Sequence, residues 1–190
     1  MGSPAAADQV GSGCKLAGLT ATAMWLALSS LFLACPGWAK LKKGADAPGF
    51  SLSGLDGGTY ALADYKGKVL VLDFWATWCR PCRMELPEIE KAWQTLKKQR
   101  EAGQVQFLLV NTDPKNEKTI LALQKDLSLT IPVVLDKDNK ASISYEVESI
   151  PRLFLIDGQG KVISIDVGYR PGVGSSLVGK VRFLLPKPVR

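Results

Sequence analysis

Cys79 and Cys82 are separated by Arg80 and Pro81 within the stretch FWATWCRPCRMELP, residues 74–87. Two thiols at that spacing can supply half of a metal site, close a structural disulfide, or pass electrons as a dithiol. The ligand count disfavours a metal. Zinc takes four sulfur or nitrogen ligands, the chain has no histidine, and its other cysteines, Cys14 and Cys35, fall near its amino terminus. Haem attachment through Cys-x-x-Cys-His fails because Arg83 stands where the histidine is needed. A purely structural bridge here would close a four-residue loop, and stabilisation by loop closure grows with loop length. A redox-active dithiol, with no metal and no bound cofactor, is the chemistry these residues favour.

A dithiol needs elements that hold it. KVLVLDFWA, residues 68–76, is almost wholly apolar and reads as a strand buried on both faces. Leu86, Ile89, Trp93 and Leu96 then recur at helical spacing, with Gly103 as the stop. Cys79 therefore falls where a strand hands over to a helix. The unpaired N–H groups and positive dipole end at that point favour thiolate, the attacking form of sulfur. Arg80 and Arg83 add positive charge nearby. Cys82 follows one turn later, and Pro81 sits in the first turn, where a missing N–H costs little.

The rest of the chain alternates in the same way. An amino-terminal hairpin turns at Asp56-Gly57-Gly58, and VQFLLVN, residues 105–111, is a second buried strand. Asp113 and Pro114 predict the cap and first turn of a helix running through Asp126, with Ile120, Leu123 and Leu127 inward. IPVVLD is a third strand, residues 139–146 a short helical stretch, residues 152–168 a hairpin, and residues 172–185 an amphipathic helix. This order predicts one α/β domain over residues 45–190, a central mixed sheet flanked by helices.

The net charge of +6 resides in residues 40–190, because Asp8 and Lys15 cancel in residues 1–39. The basic residues are scattered, which predicts a solvated surface and no nucleic-acid footprint. From Leu16 to Cys35 no residue is charged. Residues 1–39 are therefore expected to be a signal peptide cleaved after Ala39, or a membrane anchor, with a lipidated Cys35 as a third possibility. Each places the domain outside the cytoplasm, secreted, periplasmic or held at the membrane through its amino-terminal segment.

The stretches GADAPGFSL, LADYKGKVLVLDFWATWC, IPVVLD and SIPRLFLIDGQGKVI, in that order, resemble the TlpA/ResA-like thiol–disulfide oxidoreductases. The resemblance covers about residues 44–185 and implies a thioredoxin-like fold. It implies that Cys79 attacks a substrate disulfide and Cys82 resolves the mixed disulfide. Trp78 would shape the docking surface, with an ordinary core tryptophan as the alternative. Ile150–Pro151 would be a cis bond beside Cys79, with a trans proline opening a strand as the alternative. Asp73 would be a buried acid that moves a proton for Cys82, with a surface or hydrogen-bonded structural aspartate as the alternative. Glu85 would tune the cysteines, or be a plain solvated residue of the helix's first turn. Pro87 would be a structural kink. Arg152 and Ser149 depart from the small residues usual there, and Arg152 is expected near the substrate groove, where it would favour acidic or otherwise unusual partners. The resemblance further implies disulfide-bearing protein partners such as apocytochrome c and a membrane thiol donor. A redoxin-type thiol peroxidase and a non-catalytic apoprotein-binding assembly factor are the alternatives.

Overall fold

The computed structural model describes residues 41–98, 103–114 and 116–185. Its elements follow the alternation of the sequence. They are β1 (Ser51–Gly54), β2 (Thr59–Ala61), a 3-10 turn (Leu62–Tyr65), β3 (Val69–Trp75), α1 (Arg80–Lys97) and β4 (Val105–Asn111). Then come α2 (Glu117–Asp126), β5 (Val133–Leu135), α3 (Lys140–Ser144), β6 (Arg152–Ile156), β7 (Val162–Val167) and α4 (Val173–Leu184). The seven strands lie in the order β2-β1-β5-β4-β3-β6-β7. The three central strands β5, β4 and β3 run parallel, and β1, β6 and the two edges pair antiparallel.

Both faces are covered, which explains why β3 and β6 are apolar runs without alternation. Val69, Val71 and Trp75 of β3 meet Leu86, Ile89 and Leu96 of α1, Ile120 of α2 and Leu177 and Val181 of α4. Leu70, Leu72 and Phe74 face the other way, into a cluster with Tyr145, Phe154 and Leu52. Side chains of Phe50, Tyr60, Leu62 and Tyr65 close that cluster, so the amino-terminal hairpin does for this face what helices do for the other. The result is a thioredoxin-like α/β fold.

Two long-range acid contacts fix α1. Glu90 accepts hydrogen bonds from the backbone N–H of Thr130 (2.9 Å) and Ile131 (3.2 Å) ahead of β5. Glu88 accepts from the Tyr169 hydroxyl (2.9 Å) and from the N–H groups of Gly172 and Gly174 at the start of α4. At Gly174 the helices touch so closely that a Cβ would stand 2.4 Å from the Glu88 carbonyl oxygen.

One boundary differs from expectation. α2 starts at Glu117, with Asn116 as its cap accepting from Thr119 N–H (3.1 Å), and not at Asp113-Pro114. The Asp113 N–H is instead taken by the Asn111 side chain (2.9 Å), which turns the chain out of β4 first. Residues 1–39, for which a leader or anchor is expected, lie outside the described residues. Among the described residues, no helix is long and apolar enough to cross a membrane.

Candidate active site

β3 ends at Trp75, and Ala76, Thr77 and Trp78 lead to Cys79, the N-cap of α1. Pro81 occupies the first turn, as expected from its fixed φ and absent N–H. Cys79 and Cys82 form a disulfide with an S–S distance of 2.04 Å and Cα atoms 5.3 Å apart. The Cys79 sulfur also accepts the Cys82 N–H at 3.2 Å. A helix N-terminus thus donates directly to the sulfur whose negative charge it would stabilise. Cys82 has no exposed surface, whereas Cys79 retains a little, so an incoming sulfur meets Cys79 first.

Two buried acids lie near one another, Asp73 on β3 and Glu85 on α1. Asp73 is fully buried, and neither of its oxygens has a hydrogen-bond partner. Its neighbours across the sheet are Leu109 on β4 and Leu153 on β6. Burial, reinforced by the nearby Glu85, raises its pKa well above the ordinary carboxyl value. Glu85, in α1, is buried too, and one of its oxygens lacks a partner. Burial, then Asp166 and Glu88, pushes its pKa up to about 7. Both carboxyls are thus held to their protons more tightly than in water, and Glu85 is not a solvated first-turn residue.

The Ile150–Pro151 peptide is cis. Its Pro151 carbonyl accepts the Gly168 N–H at 2.9 Å, which ties the end of β7 to the start of β6. Trp78 is 70% exposed and so is no core residue. Sequence reasoning did not single out Met84 on α1 or Val167 on β7, which are exposed at 52% and 47%. Val167 lies opposite Arg152. Their signal, apolar residues in amphipathic elements, is indistinguishable locally from that of core positions.

Arg152 follows the cis-proline directly, at the start of β6. Leu153 and Leu155 take the α1 face of β6, so Arg152 and Phe154 take the other. Arg152 is buried with its guanidinium 5.8 Å from the Phe154 ring centroid. Among the described residues, no group of His, Cys, Asp and Glu side chains is arranged to hold a metal ion.

A disulfide at a helix N-terminus, a cis-proline loop and a buried acid on a thioredoxin-like sheet together define a thiol–disulfide oxidoreductase. The chain belongs to the AhpC/TSA family, whose model matches residues 43–165. The thioredoxin-like protein YneN of Bacillus subtilis is 37% identical over 130 residues, covering 67% of this chain and 73% of that one. The thiol-disulfide oxidoreductase ResA of Geobacillus thermodenitrificans is 38% identical over 126 residues, 66% of this chain and 69% of that one. A crystal structure assigned as the thiol:disulfide interchange protein DsbE of Chlorobium tepidum superposes with a TM-score of 0.68. It is 33% identical and covers 77% of this chain and 99% of that one.

Proposed function

We propose that this protein reduces disulfides in other proteins outside the cytoplasm. Cys79 is the attacking sulfur, Cys82 the resolving sulfur and Asp73 the proton acceptor. The observation that carries the reading is the Cys79–Cys82 disulfide at the α1 N-terminus, with the unpartnered buried carboxyl of Asp73 on the strand that precedes it.

In the reduced protein, the Cys79 thiolate attacks one sulfur of the substrate disulfide. The substrate S–S bond breaks, a mixed disulfide forms, and the first substrate sulfur leaves as thiolate. The Cys82 thiol passes its proton to the Asp73 carboxylate and attacks the Cys79 sulfur. The second substrate sulfur leaves, and the internal disulfide closes. Two electrons have moved from protein to substrate, and the departing thiolates take protons from water. Asp73 ends protonated, which agrees with the absence of any hydrogen-bond donor to it in the closed form. Glu85 tunes this step from α1, and Ile150 and Pro151, with Trp78, receive the substrate segment.

Turnover then requires a thiol donor, and outside the cytoplasm the fitting source is a membrane protein. Apocytochrome c, whose haem-attachment cysteines must be reduced, is the client class that this reading favours. The uncharged run from Leu16 to Cys35 supports export or anchoring. The test is trapping with Cys82→Ser. The reading expects a stalled mixed disulfide through Cys79 that holds a client protein and dissolves on adding dithiothreitol. Absence of any adduct, together with retained insulin reduction in Cys79→Ser, overturns it.

A further inference from the structure

Lysines make four ion pairs on the described surface: Lys137 with Glu117, Lys140 with Asp138, Lys161 with Asp46 and Lys180 with Asp166. Four arginines around the disulfide behave differently. Arg80 and Arg83 are exposed on the first turn of α1, flanking Cys82 on either side. Arg170 is exposed two residues beyond Gly168, whose N–H holds the cis-proline carbonyl. Arg152 follows the cis-proline directly and is more than nine-tenths buried, its Nε without a partner. None of the four has an acidic partner among the described residues. The nearby acids do not neutralise them. Glu88 is engaged by Tyr169, Gly172 and Gly174. Glu146 and Glu148, on the loop leading into Ile150, make no ion pair with them.

A buried guanidinium without a counter-charge is costly. Phe154 offsets part of that cost through its ring face. Trp78 and Met84, beside Arg80 and Arg83 in the chain, and Val167, three residues before Arg170, are exposed to solvent. Exposed apolar anchors among unpaired cations fit a partner with the reverse pattern.

We propose that the face around Cys79 is a docking surface for acidic protein segments, with carboxylates flanking the partner's disulfide meeting the exposed Arg80, Arg83 and Arg170. This rests on the exchange function above and names the class of client for it. The arginines act by steering encounter and fixing register, and they take no part in electron transfer. Their effect is therefore on kcat/KM and falls with salt, as the screening length shrinks from about 10 Å to about 3 Å between 0.1 M and 1 M.

The test uses the reduced full-length protein and three peptides of one design. Each carries one disulfide, flanked by Asp, Asn or Lys. The Asp-flanked peptide is expected to react about tenfold faster than the Lys-flanked one at low salt, with the gap closing near 1 M salt. Arg83→Gln combined with Arg170→Gln, a variant of exposed positions, narrows the ratio. Equal rates for the three peptides, or a preference unchanged in the exposed double variant, overturns the docking proposal. The uncharged hydroxyethyl disulfide separates the two claims. Its reduction without peptide discrimination sinks docking alone, whereas failure to reduce it sinks the exchange function and the docking proposal with it.

Discussion

Asp73 and Glu85 lie near one another, yet one comes from a central strand and the other from the helix above it. Neither faces a cation: the strands beside Asp73 offer Leu109 and Leu153, and Glu85 senses Asp166 and Glu88. Lys180, which could have served as a counter-ion, is held by Asp166 at 2.6 Å. An acid whose pKa rises on folding binds its proton more tightly in the folded chain than in the unfolded one. Its contribution is present below the unfolded value and is lost as pH rises. For Glu85 the window runs from its ordinary value of 4.5 up to about 7. Asp73, shifted in the same direction, adds a loss of the same sign. Urea unfolding of the oxidised protein at about pH 5 and about pH 8 should show stability falling with pH. The fall should be smaller in Glu85→Gln. Parallel pH dependences for the two proteins would show that Glu85 is not held protonated by its surroundings.

At the scale of elements, α1 carries the chemistry and is fixed at several points. Leu86, Ile89 and Leu96 seat it on the sheet, Glu90 holds the segment entering β5, and Glu88 holds the start of α4. Pro87 lies inside the helix and leaves the Arg83 carbonyl without its usual N–H donor. Gly174 sets the distance between α1 and α4. Gly174→Ala should cost roughly 1–3 kcal/mol, because a methyl group there meets main chain, not a movable side chain. Denaturant unfolding measures that cost, and an unchanged midpoint would mean the two helices can separate freely. This contact was not legible in the sequence. Glu88 and Gly174 are 86 residues apart, and nothing in the local pattern of either points to the other. The junction of β3 and α1 was legible, because an apolar run, a tryptophan, a cysteine cap and Pro81 all belong to one short stretch. The start of α2 was misread because Asp113-Pro114 carries cap chemistry as good as that of Asn116. The Asn111 side chain decides between them, and its position depends on β4 already being paired.

Across the whole molecule, the order of strands and helices was readable from apolar runs and turn residues, since both faces of the sheet are buried and leave a strong signal. The direction of individual side chains was readable only where periodicity governs it. Arg152 shows the limit. It follows a cis-proline that opens an inner strand, and its side falls opposite to Leu153 only once β6 is registered against β3. Placing it required the pairing of residues 74 and 152, which no local pattern encodes.

The proposed exchange depends on the assembled fold making Cys79 acidic, because the α1 terminus donates to that sulfur. The rate of Cys79 alkylation by iodoacetamide in the reduced protein, followed against pH by peptide mass spectrometry, reads this directly. An unperturbed thiol titrates near about 8.5. The account predicts a midpoint at least one unit below about 8.5, with Cys82 protected. A Cys79 midpoint at or above about 8.5, or Cys82 reacting first, would contradict it.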